Sequence, residues 1–269
     1  MSYWQAVVLG LIEGITEYLP ISSTGHLILV SALLDINPEQ RSANDAFIII
    51  SQGGAILAVV LLYWRRIREM AQGVVGKNAR GFHLLRMLIV AFLPAAILGA
   101  LFANTIEREL FKPWPVVIAL GVGGFVMLFL KARSPTDART IDQLTWKHAL
   151  LIGFCQCIAM WPGTSRSMMT MFGAVVVGLT FSEAAIFSFL LGLVTLSSAC
   201  AYKSLDAYQT HAFSNTDTSV LIVGFVAATL SAFICVRWFV KFLDHHSFKF
   251  FGWYRIVLSG LVAGIYWLF

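Results

Sequence analysis

Six long apolar stretches alternate with short polar segments along the chain: residues 46–64, 84–103, 114–130, 184–202, 220–240 and 251–269. At 1.5 Å per helical residue each reaches most or all of the way across a hydrocarbon layer of about 30 Å, so the pattern predicts six transmembrane helices. Four further apolar pieces are too short or too interrupted to cross. Residues 3–19 and 27–34 flank the polar run from Pro20 to His26, and residues 149–161 and 168–179 flank the run from Pro162 to Ser167. Each pair reads as a helix, a polar turn and a returning helix. Irregular backbone at membrane depth persists only where it is buried in protein or lines a wet cavity, so two such turns predict a cavity between them.

The loop charges give the pairs a direction. Six Lys and Arg lie between Arg65 and Arg86, four between Lys131 and Lys147, and four between Arg237 and Arg255. The intervening segments hold Arg41 alone, then Arg108 and Lys112, then Lys203. This bias alternates in step with the six spans only if each short pair enters and leaves on one side. The first pair and both termini then face the extracytoplasmic side, and the second pair enters from the cytoplasm. The order becomes a re-entrant pair plus three spans, repeated in the opposite orientation. The expected fold is therefore an all-α polytopic membrane protein, a single domain over 1–269, with inverted repeats at about 1–130 and 147–269. Gly10 to Pro20 followed by Ser22-Ser23 lies against Gly153 to Pro162 followed by Thr164-Ser165. In such repeats, binding sites form near the midplane where broken helices meet, and helix N-termini there attract anionic groups. The simpler alternative is that Gly and Pro merely kink ordinary spans.

Composition narrows the class further. With 58% of the 269 residues hydrophobic and 12% charged, too few charges remain to cover a water-soluble surface. The net charge of +5 is dispersed between apolar stretches without a basic stripe, so no nucleic-acid partner is expected. Cys155, Cys157, Cys200 and Cys235 all lie in apolar segments and lack zinc-ligand spacing, so neither a disulfide nor a metal site is expected of them. Glu13 and Glu17 interrupt the first segment where a cleavable signal peptide would be continuously apolar, so that segment is expected to be retained.

Those glutamates, with His26 and Arg166, are the ionisable residues within the membrane segments or their turns, where a charge costs roughly 2.5 kcal/mol or more. The i, i+4 spacing of Glu13 and Glu17 puts both carboxylates on one helix face, as in a pair sharing a proton or a divalent cation, or in a snorkelling interfacial pair. Ser22, Ser23 and Thr24 open the returning helix, as a phosphate seat or as ordinary N-caps. His26 is a candidate acid or base, or a satisfied core imidazole. Arg166, between Ser165 and Ser167, matches phosphate oxygens with its planar fork; it could instead form a structural ion pair with Glu13 or Glu17. Together these groups suit phosphoryl transfer, in which a hydroxyl or water attacks while a cation and a guanidinium neutralise the anion.

The run from Glu13 to His26, Glu-Gly-Ile-Thr-Glu-Tyr-Leu-Pro-Ile-Ser-Ser-Thr-Gly-His, and Pro162-Gly-Thr-Ser-Arg-Ser resemble the undecaprenyl pyrophosphate phosphatase family of the bacitracin-resistance type. Gln52-Gly-Gly-Ala-Ile-Leu-Ala and Phe187-Ser-Phe-Leu-Leu extend the likeness over essentially the whole chain. The resemblance implies a multi-pass protein of the bacterial inner membrane that hydrolyses undecaprenyl pyrophosphate to undecaprenyl phosphate. This recycles the carrier for cell-wall synthesis and confers bacitracin resistance. The resemblance further implies a divalent cation such as Mg²⁺ and a site open to the periplasm. It casts Glu17, Ser23, His26 and Arg166 as catalytic, Glu13 and Glu17 as metal ligands, and Ser22, Thr24, Ser165 and Ser167 as substrate-binding. Expected partners are the polyprenyl pyrophosphate, membrane lipids and, for assembly, a second copy of the chain. Two departures fall in the second repeat: Met168-Met169-Thr170 stands where the family has Gly-Ala-Thr, and Gly192-Leu193-Val194 where it has Ala and a Pro. A rival from another class is an inverted-repeat transporter or flippase of a phosphorylated lipid. A membrane phosphatase of the acid-phosphatase type is discarded, because Phe172 stands where its second motif requires His.

Overall fold

The computed structural model describes residues 1–34, 36, 41–110, 113–134, 136–209 and 217–268. Among these it is all-helical, apart from one isolated parallel bridge between Arg139 and Leu179. Helix α1 (Tyr3–Thr16) starts at a capping box in which Ser2 Oγ accepts from the Gln5 amide and the Gln5 side chain accepts from the Ser2 amide. After a turn follow α2 (Ser23–Leu33), α3 (Arg41–Leu62), α4 (Trp64–Val74), α5 (Ala79–Leu110) and α6 (Pro113–Phe129). The second half runs α7 (Trp146–Ile158), α8 (Arg166–Val176), α9 (Phe181–Gln209), α10 (Thr218–Leu243) and α11 (Lys249–Leu268).

Among the described residues four helices are long and apolar enough to cross a membrane: 44–62 of α3, 79–102 of α5, and all of α9 and α10. They correspond to four of the six expected spans. The stretch 114–130 forms a shorter apolar helix, and α11 carries Lys249 and Arg255 in its first two turns. Exposed apolar side chains run down α5 at Ile89, Leu93, Ile97 and Leu101, and down α10 at Ile222, Val226, Leu230 and Ile234. Each series has i, i+4 spacing, which makes a continuous outward apolar stripe; water would not tolerate such stripes, and lipid chains would cover them. The molecule is a polytopic helical membrane protein.

Three boundaries differ from the hydropathy reading. The basic segment after residue 64 is not a plain loop but the strongly amphipathic helix α4, which packs on α5, and Arg80 and Arg86 belong to the first turns of α5. Arg255, counted with the loop charges, is fully buried. Lys112 and residues 210–216 of the segment before α10 lie outside the described residues.

Contacts between helices exchange when the first half is swapped for the second. Helix α1 packs on α10 and α7 on α5; α3 meets α9, and α6 meets α11. Glycine permits both outer contacts. A Cβ on Gly10 would lie 2.6 Å from the Gly224 carbonyl oxygen of α10, and one on Gly153 would lie 2.5 Å from that of Ala91 on α5. The aromatic residues Phe187, Phe189 and Phe239 fill the centre, beside the two turns.

Candidate active site

Each polar turn ends on a serine in the left-handed region. Ser22 and Ser165 both have φ of 73°, the only non-glycine residues with positive φ among those described. Such backbone costs of order 1–3 kcal/mol and persists where its surroundings hold it. Ser165 caps α8 by accepting from the Met168 amide at 3.3 Å, and Ser22 Oγ accepts from the Gly25 amide at 3.4 Å. The serines lie twelve residues after Gly10 and Gly153, respectively. The structural correspondence therefore pairs Ser22 with Ser165, one residue away from the match made on the two prolines. It sets Ser23, the first residue of α2, against Arg166, the first residue of α8, and Glu13 against Gln156.

Ser23 and Arg166 meet on one carboxylate. Ser23 Oγ donates to Glu17 Oε2 at 2.6 Å, and Arg166 Nη2 donates to Glu17 Oε1 at 2.9 Å. Glu17 is 7% exposed, so this is an ion pair in a low-dielectric setting, between residues 149 apart in sequence. The ion pair considered for Arg166 from the sequence is therefore present, and it shares its carboxylate with the Ser23 hydroxyl. Arg166 is held further by Nη1 donating to the Ser188 carbonyl at 3.2 Å and by its position over the Tyr18 ring, 5.4 Å from the centroid. Among the described residues four buried side-chain atoms lack a protein partner: Glu13 Oε2, Tyr18 Oη, Gln156 Nε2 and Arg166 Nε. Buried polar atoms are almost always satisfied, so unpartnered ones mark where water or a ligand sits.

The other expected residues divide. His26 Nδ1 is 2.8 Å from the Ser22 carbonyl, which can only accept, so Nδ1 carries the proton; Nε2 accepts from Tyr254 Oη at 2.6 Å. Both ring nitrogens are thus engaged, neither by Glu17 nor by Ser23. Ser167 is fully buried, with its hydroxyl donating to the Leu19 carbonyl at 2.9 Å and lying 2.9 Å from Ser165 Oγ, so it ties the second turn to the first. Thr24 is half-buried at the start of α2. Met168 and Met169 are packed in the interior, where flexible side chains fill the space beside the turns.

The sequence reading missed two residues, both on α11. Tyr254 gave no signal of its own. Arg255 gave one: a lone arginine inside an apolar stretch is a functional pointer, hidden when it was counted among loop charges.

An acid, a hydroxyl and a guanidinium converging between two helix-turn-helix pairs inside a membrane bundle make an arrangement suited to an enzyme that handles an anion. The family model described as "Bacitracin resistance protein BacA" matches residues 6–261. The chain belongs to that family. It is 44% identical over 265 residues to undecaprenyl-diphosphatase 2 of Rhodospirillum rubrum, covering 98% of this chain and 94% of that protein. It is 45% identical to undecaprenyl-diphosphatase 1 of Pseudomonas fluorescens, covering 100% and 96%, and 44% identical to the undecaprenyl-diphosphatase of Nitrosomonas eutropha, covering 94% and 90%.

Proposed function

We propose that the protein hydrolyses undecaprenyl pyrophosphate to undecaprenyl phosphate and orthophosphate, recycling the lipid carrier for cell-wall synthesis and conferring bacitracin resistance. The observation that carries this reading is the Glu17 carboxylate bonded at once to the Ser23 hydroxyl and the Arg166 guanidinium. Hydroxyl and base within hydrogen-bond reach are the arrangement of an activated nucleophile. Ser23 Oγ attacks the terminal phosphorus and its proton passes to Glu17. The bond from that phosphorus to the bridging oxygen breaks, and the electron pair leaves on the lipid monophosphate. Glu17 gives that proton to the departing lipid monophosphate; water then attacks the phosphoserine, its proton passing to Glu17 and from there to the Ser23 oxygen as the bond from that oxygen to phosphorus breaks. Arg166, freed from part of its contact with Glu17, offers its fork to the terminal phosphate oxygens, and its unpartnered Nε supplies a further donor. The start of each 11-residue helix, α2 and α8, adds amide donors and a positive dipole end. His26, fixed by Ser22 and Tyr254, holds the turn that carries Ser23.

The donor set fits a divalent cation. Glu13 Oε2 is a buried oxygen without a partner, one helical turn from Glu17, and Mg²⁺ is commonly held by one or two carboxylates plus phosphate oxygens and water. Bound there by Glu13 and Glu17, Mg²⁺ would neutralise charge developing on the pyrophosphate. The exchange of helix contacts between halves supports an inverted repeat of six spans and two re-entrant pairs. With the loop charges, it supports a site open to the periplasmic side of the bacterial inner membrane.

Phosphate release from prenyl pyrophosphates in detergent tests the reading, because no second compartment exists for a transporter to use. Release by the wild type, its loss with EDTA and its loss in Ser23→Ala are expected. A folded wild type that releases no phosphate with Mg²⁺ present would overturn it.

A further inference from the structure

Arg255 lies on α11, outside both re-entrant pairs, and has no exposed surface. Its guanidinium donates only to backbone carbonyls. Nε reaches Leu120 at 3.3 Å and Nη2 reaches Ala119 at 3.0 Å, both on α6. Nη1 reaches Pro20 at 3.1 Å, in the first turn. Nη1 also reaches Thr164 at 2.9 Å, and Nη2 reaches Gly163 at 2.8 Å, both in the second turn. Space for the group is reserved by Gly123, where a Cβ would collide with Nη2. Among the described residues no carboxylate pairs with it.

This is an unusual way to bury a cation. A structural arginine in an apolar interior ordinarily faces an acid, because an unpaired buried charge is costly. Here all five donors are spent on dipoles, and three of the five carbonyls belong to the two turns. The grip falls just ahead of the chemistry on both sides: Pro20 precedes Ser23 by three residues, and Thr164 precedes Arg166 by two. Three segments distant in sequence are thereby fixed to one planar fork, which only a guanidinium can supply.

We propose that Arg255 is the positioning residue of the active site: its fork holds both turns in register so that Ser23 and Arg166 reach the same phosphate, and its unpaired charge adds to the field that attracts the pyrophosphate. The proposal rests on the phosphatase reading. If the wild type releases no phosphate, that reading fails; the Arg255 variants are judged only against an active wild type.

Two substitutions separate fork from charge. Lysine keeps the charge but concentrates its donors on one nitrogen, so Arg255→Lys should retain KM within about threefold while kcat falls about tenfold or more. Arg255→Met removes both, and should raise KM as well as lower kcat by about a hundredfold. If Arg255 acts through the turns, Arg166→Lys in the Arg255→Lys background should cost far less than in the wild type, since the second change acts on a site already out of register. Should both Arg255 variants aggregate, Gly123→Ala gives a milder displacement of the guanidinium, with a severalfold fall in kcat and unchanged KM expected. Wild-type kcat per folded molecule in Arg255→Lys or in Gly123→Ala, or full additivity with Arg166→Lys, would leave Arg255 as scaffolding and overturn the proposal.

Discussion

In the first helix–turn–helix pair the turn carries Ser22 at φ 73° and the second helix opens on Ser23; in the other pair, Ser165 has the same φ and the helix opens on Arg166. One helical turn or more upstream the contrast recurs: Glu13 stands in α1 and Glu17 caps its C-terminal end, while the position matching Glu13 in α7 is Gln156, whose Oε1 accepts from Thr195 Oγ1 at 3.0 Å. The two turns share that serine φ, but one side supplies acid and hydroxyl and the other supplies the cation. A symmetric pair of acidic sites would place four carboxylates in a buried space, with repulsion that few cations could relieve. Dividing the charges lets each half neutralise the other, with the Glu17–Arg166 contact as the seam.

The largest expected effect lies at that seam. Glu17→Gln keeps the shape but removes the base and the negative partner of Arg166, so phosphate release at saturating Mg²⁺ should fall by about two orders of magnitude or more. Near wild-type turnover in a monodisperse preparation would remove the first pair from the chemistry. From the other side, Arg166→Lys should keep weak substrate binding and lose most turnover, while Arg166→Ala should lose both yet stay folded. If lysine largely restores the rate, the planar fork is not what matters and the two halves are joined by charge alone.

The contrast between Glu13 and Gln156 supplies a gentler test. Glu13→Gln, which makes the first half resemble the second, should lower kcat about tenfold or more and raise the Mg²⁺ requirement. Gln156→Leu should change kcat by less than about threefold, with its effect read as a lower Tm from the lost bond to Thr195. Equal losses in the two variants would mean that the halves are not chemically divided. The smallest effect is expected outside both pairs. Asp217 Oδ1 accepts from the Ser219 amide at 2.9 Å and the Ser219 hydroxyl at 2.6 Å, which holds its carboxyl below the usual range. A depressed carboxyl stabilises the fold above its unfolded pKa and loses that contribution as pH falls through the folded value. Asp217→Asn should therefore shift Tm slightly at neutral pH and not at all in strong acid, with turnover unchanged. A fall in activity there would show that the end of α10 reaches the site.

Much of the site could be read before any coordinates, because charges are expensive in apolar segments and so stand out. Glu13, Glu17, His26 and Arg166 stand out in this way, and each apolar run overlaps a helix. The register between repeats was misread by one residue because proline position guided it. Proline can move along an irregular turn, whereas the serine at φ 73° and the glycine at the helix crossing are fixed by geometry. Amphipathic α4 was taken for a loop because its three arginines read as topology rather than as one face of a helix.

By itself the sequence determined the solvent, the helices and the list of chemical groups, since hydropathy and the cost of buried charge act residue by residue. Only the tertiary structure decided which of those groups touch. It brought Ser23 and Arg166 to opposite oxygens of one carboxylate, gave the His26 ring to Tyr254, bonded Ser167 to the Leu19 carbonyl, and put Arg255 behind both turns. Apart from the Ser23–Glu17 bond, these contacts join residues 91 to 235 positions apart, and neither periodicity nor composition carries information on such pairings. They are fixed by how helices pack at their glycines and by which carbonyls a guanidinium can reach at once.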